Sequence, residues 1–355
     1  MRAQRWFFRL TLAAGAIASL AACGDDETQT TASSTTTGTG MGGSGGSGGG
    51  TTTGTGGATT TGTGGSGGVG GAGGSGGSGG TPQNCENLPA GPIAAVEVLN
   101  VFNGSEDLAF DGKGHIVAKN GNTIILADAA GQTTDLVDLN GQAFGLRYRP
   151  DGVLVVARPG ANTVVEVAPD GTVTDLLTNL AGPNGLYADF GGNVWMTEFQ
   201  GGNVSRINPG GSVDIIVSNV EAPNGVVFDS TREILFYTEY SNGLIFRVDV
   251  SPGGTPTPIQ VTQIVSGLDG LAMDVCGNLY VVGQQNNRLY RIQLDAIGDA
   301  VGNAEELASF TENVANAQFG SGPGFDPATI YVTGTPGTVF GVAVGVAGAP
   351  VPTPP

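Results

Sequence analysis

Residues 181–199 read "AGPNGLYADFGGNVWMTEF", and residues 222–240 read "APNGVVFDSTREILFYTEY". The echo sets Asn184 over Asn224 and Thr197-Glu198 over Thr238-Glu239. Pro-Asn-Gly is ordinary turn chemistry, so one copy says little. Two copies in register ask whether the whole chain repeats, and extending the match outward answers that it does. Further units open as "SEDLAFDGKGHIVAKNGNTIILAD" at Ser105, "AFGLRYRPDGVLVVARPGANTVVEV" at Ala143, "LDGLAMDVCGNLYVVGQQNNRLYRIQL" at Leu268 and "ANAQFGSGPGFDPATIYVTGTPGTVFGVAV" at Ala315. The second residues of the first five units are Glu106, Phe144, Asn184, Asn224 and Asp269, and the sixth unit, aligned through Phe319 with Phe110 and Phe228, puts Ala315 in the same column, at intervals of 38, 40, 40, 45 and 46 residues.

Each unit holds short β-branched and aromatic runs divided by Gly, Asn, Asp or Pro, the pattern of hairpin-linked strands. Glycine and proline interrupt every window in which a helical period would have to persist. Four short strands in some forty residues, repeated radially, make a propeller blade, so the chain is predicted to be an all-β, six-bladed β-propeller. Blade six shows only three strands. The segment "IAAVEVLNVF", Ile93–Phe102, precedes blade one and supplies the missing outer strand, which closes the ring and removes an exposed edge.

In a closed radial fold, equivalent positions form a ring about the axis. The column above opens the innermost strand of each blade, so its side chains converge at one mouth of the channel. Glu106, Asn184, Asn224 and Asp269 bring two carboxylates and two amides, the oxygen donors that calcium or another hard divalent cation takes. No thiol or imidazole stands in the column, which argues against zinc or copper. Each donor alone is also a common turn residue. Their shared register, and the repulsion of two carboxylates on one axis, favour a cation. The second strand returns to the same face, which places Lys119, Arg158, Glu198, Glu239 and Gln284 near the mouth as candidate pocket walls. His115 is the sole histidine and starts a second strand at the opposite face, so a Ser-His-Asp triad at the mouth is excluded.

The remainder of the chain reads as delivery and tether. Arg2, Arg5 and Arg9 precede a short apolar run ending at Cys23, the layout of a secretory signal over residues 1–22. "LAACG", Leu20–Gly24, resembles a bacterial lipoprotein cleavage box, which implies lipid on Cys23 and an extracytoplasmic, membrane-anchored protein without a spanning helix. Residues 23–84 are largely Gly, Ser and Thr, and such a flexible tether reaches roughly 40 Å. Residues 85–355 form the globular head. With Cys23 set aside, Cys85 and Cys276 are expected to pair in an oxidising setting. A formal charge of −18 disfavours nucleic acid or anionic lipid as partners, and the head is expected to be a monomer that takes a small molecule at its mouth.

"SEDLAFD", the two "PNG" segments with Asp189 and Asp229 five places on, "LDGLAMD" and "ANAQFG" resemble the regucalcin/gluconolactonase-like family of six-bladed propellers. That resemblance implies a divalent cation, usually calcium, held by Glu106, Asn224 and Asp269. Asn184 matches a family asparagine that binds metal in some members and faces substrate in others. It further implies a calcium-dependent hydrolase of lactones or related esters, with Asp269 as the catalytic residue that handles water. Sugar-lactone members often carry an arginine where this chain has Gly182. "GGNVWMTEFQGGNVSRINPGG" also resembles a blade of virginiamycin B lyase, a family built on seven blades and catalytic histidines. The alternative to the hydrolase is a non-catalytic, surface-tethered binding propeller in which calcium is structural or bridges a ligand.

Overall fold

A computed structural model describes residues 85–355. The signal at 1–22, the tether at 23–84 and the lipidation at Cys23 lie outside the described residues. The described chain folds into six four-stranded antiparallel sheets. Blades one to five each take four consecutive strands, as in blade three: Pro183–Ala188, Val194–Glu198, Asn203–Ile207 and Val213–Ser218. Blade six takes Asn316–Phe319, Thr329–Thr333 and Val339–Ala343, and its outer strand is Val96–Leu99 from the start of the head. Val96 pairs with Gly341 and Leu99 with Val339, so the ring closes as the sequence predicts.

The first strands of successive blades pack on one another in a closed ring, with blade six against blade one. Between neighbouring blades sits one apolar cluster, and six clusters follow the six interfaces. Leu99 and Phe102 join Phe110, Tyr331 and Val339 in the cluster at the closure. The alternation that makes the strands also makes these clusters, because each sheet buries both faces against its neighbours. Outer strands such as Thr133–Asp138 are exposed and acidic, and each is offset from the third strand by a register shift in blades one to five. Charge and bulges together blunt the edges.

Two devices hold the ring beyond packing. Cys85 and Cys276 form a disulfide with Cα atoms 5.7 Å apart, pinning the start of the head to blade five. The turn after the first strand is clamped by an aspartate in several blades. Asp189 accepts from Asn193 and from Trp195 Nε1, and Asp274 accepts from Cys276 N, Asn278 and Tyr280 Oη. The aspartates five places after each "PNG" therefore belong to turn architecture.

Candidate functional site

The column predicted from the repeat opens the inner strands at one end of the channel. Three of these strands have a register shift beside the donor residue, between Pro183 and Leu186, between Pro223 and Val226 and between Leu268 and Leu271. A bulge re-aims a side chain that a regular strand would send into a neighbouring layer. The glycine after each asparagine has a separate role. A Cβ at Gly185 would overlap the carbonyl oxygen of Asn224, and one at Gly225 would overlap that of Asp269. Adjacent blades thus approach too closely here for any side chain.

Threonines use that closeness. Gly185 N–H donates to Thr197 Oγ1 (2.9 Å), whose hydroxyl donates to the carbonyl of Asn224 in the next blade (2.6 Å). Gly225 N–H donates to Thr238 Oγ1 (2.8 Å), and that hydroxyl donates to the carbonyl of Asp269 (3.0 Å). Backbone amides continue the belt, from Gly145 to the carbonyl of Asn184 and from Gly270 to that of Ala315. Asn184, Asn224 and Asp269 are therefore each fixed by the blade before them.

Glu106, Asn184, Asn224 and Asp269 line one cavity of about 410 Å³. Phe144, Phe199 and Tyr240 supply its aromatic wall, while Gln142, Gln200 and Gln284 supply amides. Phe199 and Tyr240 meet edge to face, and Tyr240 Oη donates to Gln284 Oε1 at 2.6 Å. The carboxylates are strongly perturbed. Burial, and then the negative charge of Asp107, push the Glu106 carboxyl up to about 7, with Lys119 opposing. Burial, then Glu106 and Asp107, hold Asp269 well above the usual carboxylate range. Asp107 lies one step deeper, buried and bonded to Arg147 Nη1 (2.6 Å) and to the amides of Leu108 and Leu146.

These features fit a hard cation. Asn224 Oδ1 is buried with no hydrogen-bond partner, and the two carboxylates that share its cavity resist ionising together. A divalent ion accepts the orphaned oxygen and relieves the repulsion at once. Among the described residues, no three His, Cys, Asp or Glu side chains gather as a ligand set. The candidate set is two carboxylates with two amides, a calcium-like rather than a zinc-like composition.

Of the five side chains expected at the pocket wall, Gln284 lines this cavity. Glu198 turns to the Ala181 N–H (2.8 Å) and Asn203 Nδ2 (3.1 Å), and Glu239 turns to the Glu221 N–H and to Asn242. Both are buried braces of the loop leading into their own blade's inner strand. Arg158 donates from Nη2 to the Leu139 carbonyl (2.6 Å). Lys119 is half-buried, its charge felt at Glu106, without lining the cavity. Strand parity explains the glutamates. Thr197 and Thr238 face the axis-side neighbour, so the next residue must face away. His115 lies at the opposite face with Nδ1 2.6 Å from Asp111 Oδ2. Gln142, Gln200 and the Asp107–Arg147 pair were not singled out by the sequence, although Asp107 and Arg147 stand one and three places after column positions.

The SMP-30/Gluconolactonase/LRE-like region model matches residues 196–335, a span that includes Asn224 and Asp269 but not Glu106 or Asn184. No curated protein matches the chain. Among solved structures, a gluconolactonase from Xanthomonas campestris superposes with a TM-score of 0.59 at 17% identity, covering 74% of this chain and 96% of its own. A calcium-binding protein, regucalcin, from Agrobacterium tumefaciens gives 0.59 at 17%, covering 74% and 97%. Virginiamycin B lyase from Staphylococcus aureus gives 0.54 at 17%, covering 71% and 98%. At such identities these likenesses speak for the fold. Region match and fold together support an SMP-30/gluconolactonase/LRE-like family for this six-bladed propeller.

Proposed function

We propose that the protein is a calcium-dependent hydrolase of lactones or related esters. One observation carries this reading: two mutually repelling buried carboxylates and an orphaned amide oxygen face a single cavity walled by aromatic rings and amides. Glu106, Asn184, Asn224 and Asp269 would hold the ion. When bound, a hard divalent cation supplies Lewis acidity toward a carbonyl. The chain's own residues do the rest. Phe144, Phe199 and Tyr240 offer apolar faces to a ring, and the glutamines offer hydrogen bonds to its oxygens. Asp269, fixed through its carbonyl by Thr238, orients the attacking water and receives its proton.

The test is turnover of a panel of lactones and aryl esters with calcium and with chelator. Calcium-dependent hydrolysis is expected, and Asp269→Asn should lower it at least about 100-fold. Unchanged turnover in Asp269→Asn with calcium still bound would remove that residue from the chemistry. The aromatic rings and amides of the wall favour a second reading, because they would hold a ligand beside a structural or bridging calcium whether or not it is turned over. In that reading the head is a binding module, supported by strong stabilisation by calcium with no ester turned over.

The delivery of the head belongs to the same proposal. Lipid on Cys23 and the tether at 23–84 place it outside the cytoplasm, held to a membrane by its anchor alone. Incorporation of labelled palmitate, lost in Cys23→Ser, is the expected result, and equal labelling of the variant would contradict it.

A further inference from the structure

The register that forms the mouth also forms a second ring three residues later, at the far ends of the inner strands. Its members are Ala109, Arg147, Tyr187, Val227, Ala272 and Gln318. Five of the six, all but Ala109, line a separate cavity of about 250 Å³. Between the rings the intermediate column is Asp107, Gly145, Gly185, Gly225, Gly270 and Asn316, where the blades approach most closely. The carboxyl-terminal segment crosses the outer side of the far cavity, and Gly348, Val351 and Thr353 contribute to its wall. Ala349 N–H donates to the Met273 carbonyl (2.8 Å) and Gly348 N–H to that of Pro327 (3.1 Å). The far end is thus a roofed chamber, distinct from the mouth.

Its polar groups are few and placed apart. Arg147 is buried, and all the hydrogen bonds found for its guanidinium run through Nη1, to Asp107 and to the carbonyls of Leu108 and Leu146. Nε and Nη2 are left to meet an acceptor. Gln318 is 7% exposed, and its Oε1 has no hydrogen-bond partner. An unpaired buried acceptor is costly, and a donor on a ligand recovers that cost. Most of the remaining wall is apolar, from residues such as Val227, Ala272, Met273 and Phe319, with the hydroxyl residues Tyr187, Ser321 and Thr353 among them.

Charge decides the class of occupant. The positive charge of Arg147 is already matched by Asp107 at 2.6 Å, and the negative charges of Asp189 and Asp229 are felt at Tyr187 in the same wall. A further anion meets no unpaired cation here, and a cation meets the guanidinium. We propose that this chamber binds a small neutral molecule with a short apolar body, whose carbonyl accepts from Arg147 and whose N–H or O–H donates to Gln318. Short-chain primary carboxamides are the simplest members of that class. The inference does not depend on hydrolysis or on calcium at the mouth.

Calorimetric titration of the full-length protein with hexanamide, hexanoate and hexylammonium tests it. Hexanamide should bind saturably at one site per chain, at least about tenfold more tightly than either charged analogue. Gln318→Leu removes the orphaned acceptor and should weaken hexanamide about tenfold, while calcium binding at the mouth is unchanged. Ala272→Leu fills the chamber and should abolish binding, with thermal unfolding used to show that the variant is folded. If that variant does not fold, Gln318→Leu still decides. No saturable binding, tighter binding of hexanoate, or unaltered affinity in Gln318→Leu would overturn the proposal.

Discussion

At the scale of single residues, the two Pro-Asn-Gly segments combine three demands. The asparagine turns toward the axis, the glycine admits the neighbouring carbonyl, and the threonine on the returning strand ties the two blades together. Thr238→Val keeps the shape and removes the hydroxyl, leaving the Gly225 N–H and the Asp269 carbonyl without their partner. Urea unfolding should show a loss of about 2 kcal/mol, and Thr238→Ser should recover most of it. Equal stability of the valine and wild-type proteins would mean that the hydroxyl contributes nothing. Glu106 makes a prediction of its own. Its carboxyl titrates near 7 when folded against an ordinary 4.5, so between those values the folded protein keeps a proton that the unfolded chain has released. Without a cation, stability therefore falls as pH rises from about 4.5 to 7, and Glu106→Gln flattens that slope. Thermal unfolding in chelator across this interval checks the sign.

Among the elements, the returning strands show where sequence reading stops. The column of Glu106, Asn184, Asn224 and Asp269 was legible because a fixed repeat in a closed ring puts one register on one circle. Lys119, Arg158, Glu198, Glu239 and Gln284 all lie at the ends of returning strands, yet only Gln284 lines the cavity, one place beyond Gly283, which pairs with Leu268 as Glu198 pairs with Pro183. The ends of the returning strands do reach the mouth, as the pairing of Pro183 with Glu198 and Pro223 with Glu239 shows. Which way a side chain leaves the strand depends on parity relative to a bulge, and no residue type announces a bulge. The closing strand was legible from a count of strands per blade. The disulfide was legible from two leftover cysteines, and it spans 191 positions. Cys85→Ser should cost about 3–5 kcal/mol, seen as a melting temperature about 10 °C lower than that of the oxidised protein. Wild type under reductant should match the variant.

For the molecule as a whole, the six inner strands make one channel with three successive circles. The first gathers oxygen donors, the second is narrowed by glycine and carries Asp107, and the third is a roofed chamber with Arg147. Their negative charges outnumber what Arg147 and Lys119 offset, in a protein whose formal net charge is −18. A cation at the mouth is the simplest balance of that charge. Calorimetric titration of calcium into the chelator-treated protein is the most direct measurement. One site per chain is predicted, with affinity reduced at least about 100-fold in both Glu106→Gln and Asp269→Asn. Absence of binding, or binding that both variants retain at wild-type strength, would contradict the account.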